Sequence, residues 1–187
     1  MKKTALRMFA AILTICSASV MTSCNNNDDM EYVKKNELSG QWIMEQRIDG
    51  VQDLIKAMGL NLPEGSDQLT LIYQFNDNGT GWGEIVVLKN GEYNMVLAER
   101  YDADSQFNYT IDANGKVLIK AKNNKGKQEL QLDGKFLKWP VEQTIIPFTR
   151  ASESQINKYK NATNAWRVAK VKEKISTSMN ELTQPLK

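Results

Sequence analysis

Carboxylates are the first candidates for chemistry in this chain. Glu84, Glu99, Asp102 and Asp104 fall close together in sequence. Two carboxyls about 5–10 Å apart can serve as acid and base on a glycosidic bond. Nothing in their spacing separates these four from solvated side chains on strands and turns. The 187 residues contain no histidine, which removes the commonest general base and zinc ligand together. Asp77, Asn78, Asp112 and Asn114 resemble pieces of calcium loops, but no full loop closes on a glutamate. Turn chemistry accounts for them. No glycine-rich phosphate loop, nucleophile elbow or metal-spaced cysteine pair is present. The chain therefore reads as a non-enzyme, with no catalytic residue, metal or cofactor.

The strongest binding candidates are apolar. Tyr73, Phe75, Tyr93, Met95, Leu97, Phe107 and Tyr109 all fall on alternating segments. If these segments form a barrel, the seven side chains line its interior and could hold one apolar molecule, or simply fill it. Trp82 and Trp139 sit near strand ends, where they could stack on sugars or join the core.

The elements that position these residues follow from period and turn chemistry. Residues 68–76 alternate, with Leu69, Leu71, Tyr73 and Phe75 on one face. Residues 81–89, 92–101, 106–111 and 117–121 follow as strands, and further short strands run to Thr149. Asn78-Gly79, Asn90-Gly91, Asn114-Gly115 and Asp133-Gly134 separate them. Such dipeptides suit type I′ hairpins, which need positive φ at both central residues. Hairpins in series give an antiparallel meander, and about eight strands remove their edges by closing into a barrel. Residues 51–60 have helical spacing, which predicts a short helix after the first strand. Ser152 and Gln155 fit a capping box that opens a C-terminal helix over about 153–179. Ile156, Tyr159, Thr163 and Trp166 form its apolar stripe, continued by Val171, Ile175 and Met179. Its outer face carries Lys158, Lys160, Arg167, Lys170, Lys172 and Lys174: a solvated face, or one drawn to anionic headgroups or glycans.

The N-terminus has three parts: Lys2, Lys3 and Arg7, then the apolar run 8–20, then Thr22-Ser23-Cys24. The run is short of the roughly 20 residues a membrane-spanning helix needs. The pattern resembles a bacterial lipoprotein signal. The resemblance implies cleavage before Cys24, lipidation of that cysteine, and removal of Cys16 with the leader. Residues 1–23 are then a signal peptide and 24–37 a lipidated polar tether. The run Asn25–Glu31 is similar to the short acidic stretches of surface-exported Bacteroidetes lipoproteins. Loss of three leader cations moves the formal charge from +2 to −1. A near-neutral domain is a poor nucleic-acid binder.

Leu38-Ser39-Gly40-Gln41-Trp42 resembles the Gly-x-Trp opening of lipocalins and of the lipocalin-like domains of Bacteroidetes lipoproteins. Residues 73–80 resemble the strand-turn motif of the same domains. The resemblance implies a mainly β fold over 38–150: an antiparallel up-and-down barrel whose end is closed by Trp42, with Arg150 packed on the ring. Residues 151–187 form a helix and tail. The Thr-Asp-Tyr loop motif of secreted lipocalins is absent, which favours a narrower barrel. The implied function is ligand binding by a lipoprotein anchored to the outer membrane, facing the periplasm or the cell surface. Its partners would be the membrane through the lipid and a small apolar ligand. The alternative is an accessory envelope protein with a solid barrel, acting through protein or glycan contacts.

Overall fold

The structure is a computed structural model. It describes residues 27–182 except 99, 101, 123–125 and 142–143, with backbone alone for 27–31, 57, 93–95 and 178–182. The leader and Cys24 lie outside the described residues.

Strand β1 (Gly40–Arg47) pairs with β2 (Gln68–Phe75), and β2 pairs with β3 (Thr80–Lys89). Strand β4 (Glu92–Ala98) pairs with the second half of β3, while β5 (Gln106–Ile111) pairs with its first three residues. Then follow β6 (Lys116–Ala121), β7 (Lys127–Asp133), β8 (Phe136–Val141) and β9 (Thr144–Arg150), each antiparallel to its predecessor. Strand β9 returns to β1, with Arg150 opposite Trp42 and Thr149 opposite Ile43. The result is a closed eight-stranded antiparallel barrel with β4 as an extra strand.

Period-two burial makes the inside. Phe107, Tyr109 and Ile111 are buried on β5, while Asn108 and Thr110 are exposed. Residues 85–88 are buried on both faces: Ile85 and Val87 belong to the interior cluster, Val86 and Leu88 to an outer one. A continuous apolar run marks a strand covered on both sides, and here the outer cover is the C-terminal helix.

The short connections differ in turn type, and at Asp133-Gly134 the glycine is left-handed (φ 56°) while Asp133 is not. Asn90 and Gly91 both have positive φ, 53° and 79°, so this hairpin has the I′ geometry. At Gly79 and Gly115 the glycine alone is left-handed (φ 81° at each), and the preceding Asn78 and Asn114 are not. These turns are corrected to type I turns followed by a left-handed glycine.

Helix α1 (Asn27–Leu38) occupies most of the segment expected to be a tether. Helix α2 (Gln52–Ala57) follows β1 and a 3₁₀ turn (Ile48–Gly50). Leu54, Ile55, Met58 and Leu60 are buried in the same cluster as Met44, Leu69, Leu71 and Val87, so the β1–β2 connection folds over the barrel mouth. The expected strand over 92–101 ends at Ala98. Two register shifts between β3 and β4 break its alternation, and Val96, Leu97 and Ala98 are all buried.

Helix α3 (Glu153–Leu182) has the capping box read from the sequence. The Gln155 amide donates to Ser152 Oγ at 3.2 Å, and the Ser152 amide donates to Gln155 Oε1 at 2.9 Å. The helix crosses the outside of the barrel, where Tyr159 packs with Ile43, Ile72, Val86 and Leu88.

Candidate functional site

The barrel interior brings together four of the seven candidate lining residues as aromatic rings in contact. Phe75 and Tyr109 meet edge to face at 5.0 Å between centroids, and Phe75 and Phe107 lie 5.5 Å apart. Tyr73 is 6.0 Å from Phe107. Phe148 of β9, absent from the sequence-derived set, completes the cluster at 5.3 Å from Tyr73. Leu97 is buried in the same apolar cluster. Tyr93 and Met95 belong to β4, but their side chains lie outside the described residues. Trp139 is interior and buried. Gly81 leaves room for the cluster: a Cβ there would meet the Phe107 ring and the Gln74 carbonyl.

One polar pair crosses this interior. The Tyr73 hydroxyl donates to Gln128 Oε1 at 2.9 Å, and both residues are buried. Burial pushes the Tyr73 hydroxyl above the usual tyrosine range, opposed in part by that hydrogen bond. Gln128 Nε2 is buried with no hydrogen-bond partner. Gln128 shares the inward face of β7 with Leu130 and Leu132, and its position in an alternating strand was the one signal in the sequence.

The base is closed by Trp42 and Arg150. The guanidinium lies 4.2 Å from the Trp42 ring. It also donates to the carbonyls of Glu37 and Ser39, and at 3.4 Å to that of Leu38. Trp42 Nε1 donates to the Leu38 carbonyl at 2.7 Å. The last carbonyls of a helix have no partner within the helix, and a cation is favoured there. Arg150 and Trp42 therefore hold the end of α1 on the barrel. Gly40 makes the approach possible: its φ is +108°, and a Cβ there would stand 2.8 Å from Arg150 Nη1.

The outer face beneath α3 holds the buried charges. Glu84 is buried and accepts from Arg100 Nη2 at 2.7 Å and from Thr163 Oγ1 at 3.0 Å. The Arg100 guanidinium lies 4.4 Å from the Trp82 ring, which is half-buried. A turn away, the Tyr159 hydroxyl donates to Glu45 Oε1 and accepts from Gln68 Nε2 at 3.0 Å and Thr70 Oγ1 at 3.1 Å. Burial, then the Glu45 carboxylate, raises the Tyr159 hydroxyl above its usual range.

The structure describes three of the four carboxylates. Glu84 is engaged by Arg100, Asp102 is exposed, Asp104 is half-buried, and Glu99 lies outside the described residues. The turn residues hold turns: Asn78 Oδ1 accepts from the Thr80 amide at 3.1 Å, and Asp112 Oδ1 accepts from the Asn114 and Lys116 amides at 2.9 Å each. Among the described residues no cluster of acidic or cysteine side chains could hold a metal ion. Among them, too, no helix is long and apolar enough to cross a membrane.

Comparison with protein-family models, curated proteins and solved structures found no match to this chain.

Proposed function

We propose that the chain is a non-catalytic lipoprotein of the cell envelope, held to the outer membrane by lipid on Cys24. Its lipocalin-like barrel binds a small, largely apolar molecule that carries one hydrogen-bond acceptor. Gln128 carries this reading. A buried donor left without an acceptor costs about 1–3 kcal/mol. Gln128 Nε2 is such a donor, and it faces an apolar, aromatic interior. An acceptor atom on a bound molecule would satisfy it, with the rings supplying apolar contact and α2 covering the mouth.

Native mass spectrometry of the mature domain tests this. The wild type should carry a co-purified small molecule, and Gln128→Leu should not. A wild type free of any bound mass, with Gln128→Leu at least as stable, would remove the interior site. The anchor is tested separately: Cys24→Ala should release the protein from the membrane fraction.

The mutual contacts of Tyr73, Phe75, Phe107, Tyr109 and Phe148 favour a second reading. In it the barrel is a solid scaffold, and the protein acts through a protein or glycan partner on its outer surface.

A further inference from the structure

The apolar stripe of α3 changes sides along its length. Tyr159 and Thr163 are buried against the barrel, and Trp166 and Lys170 are half-buried. From Val171 to Thr177 every residue is exposed, so the helix has left the barrel surface. Val168, Val171 and Ile175 are each a little over half exposed. At about 100° per residue these three share one face, roughly 150° round from Tyr159, Thr163 and Trp166. Lys172 and Lys174 flank that face, one on each side. Between 167 and 177 the chain has four cations (Arg167, Lys170, Lys172 and Lys174) against one acid, Glu173, which pairs with Lys170. An isolated helical extension gains little stability without packing on its apolar side.

We infer that this face lies on an anionic lipid surface. A lipid interface accepts apolar side chains between headgroups and attracts the flanking lysines. A second copy of the chain fits less well. Three apolar positions over two turns fall short of the several heptads a coiled coil needs, and facing helices would set lysine against lysine. The inference goes beyond the interior site and does not require lipid on Cys24.

The test uses the full chain carrying Cys16→Ser, Cys24→Ser and Val171→Cys, labelled at the new thiol with an environment-sensitive fluorophore. Vesicles containing phosphatidylglycerol should shift the emission to the blue and allow quenching by spin-labelled acyl chains. Phosphatidylcholine vesicles should do much less. A label at Thr110→Cys, on the exposed face of β5, should stay in water throughout. Lys172→Gln with Lys174→Gln should weaken binding to the anionic vesicles roughly thirtyfold at low salt. A label at 171 that stays in water on anionic vesicles overturns the inference, as does an equal shift on both lipids. A blue-shifted, concentration-dependent signal before any lipid is added also overturns it, because the occupant is then a second copy.

Discussion

Arg100→Met is the sharpest test of how α3 is held. The Glu84 side chain has no exposure, and that of Arg100 has 14%. Two opposite charges about 3 Å apart attract by about 5–6 kcal/mol at an effective dielectric near 20. Methionine keeps most of the apolar stem and removes the charge, together with the guanidinium's contact on the Trp82 ring. Among the described residues, Glu84 is then left with the hydroxyl of Thr163. Removing one partner of a buried ion pair costs about 3–5 kcal/mol, because the other charge is stranded. Glu84→Gln combined with Arg100→Met removes both charges and leaves an amide oxygen for Thr163. It should lie within about 1.5 kcal/mol of wild type, since loss of a whole buried pair is often nearly neutral. Urea denaturation followed by circular dichroism gives the stabilities, with the slope checked for constancy. Hydrogen exchange along α3 should rise in the single variant and recover in the double. A single variant within about 1 kcal/mol of wild type, or a double variant no better than the single, refutes the argument.

Two further outcomes follow from the core. Trp42→Ala should cost about 3–5 kcal/mol as a buried aromatic truncation, and should speed exchange of the Ser39 amide, which now bonds to the Lys35 carbonyl; an unchanged denaturation midpoint takes Trp42 out of the core. Tyr73 and Tyr159 set an alkaline limit. Both hydroxyls titrate above the usual value of 10.0 when folded. The unfolded chain therefore loses these protons first, so their stabilisation is complete below about pH 10 and is lost as pH rises beyond it, by about 1.4 kcal/mol per pH unit for each tyrosine. Unfolding measured between pH 9 and 12 alongside tyrosinate absorbance checks this, and a stability that stays flat above pH 10 contradicts it.

The barrel was legible because its rules are local. Alternation over 106–111, the left-handed Asn90-Gly91 turn and the Ser152–Gln155 cap each depend on a few adjacent residues. What escaped depends on partners distant in sequence. Helix α1 has mostly polar residues, and of its described side chains only Leu38 is buried. Its end is held by Arg150, more than a hundred positions later, which no local pattern reveals. The expected stripe through Val171 and Ile175 failed at a single step: the five residues from Trp166 to Val171 turn it about 140° round the helix, away from the barrel. In the candidate site, the aromatic residues could be read from period two, but Gln128 and Glu84 could not. A polar residue at an inward position reads as a fault until its partner is known, and Glu84 faces outward under a helix that begins nearly seventy residues later.

The seam between β1 and β9 has a consequence for biosynthesis. First and last strands meet across two residue pairs, Trp42 with Arg150 and Ile43 with Thr149. Contacts so remote in the chain form late, because loop closure must precede them. A chain emerging from its amino end therefore exposes the apolar lining of the early hairpins until the final strand arrives. That interval is when it is most prone to self-association, and when a chaperone would have most to hold.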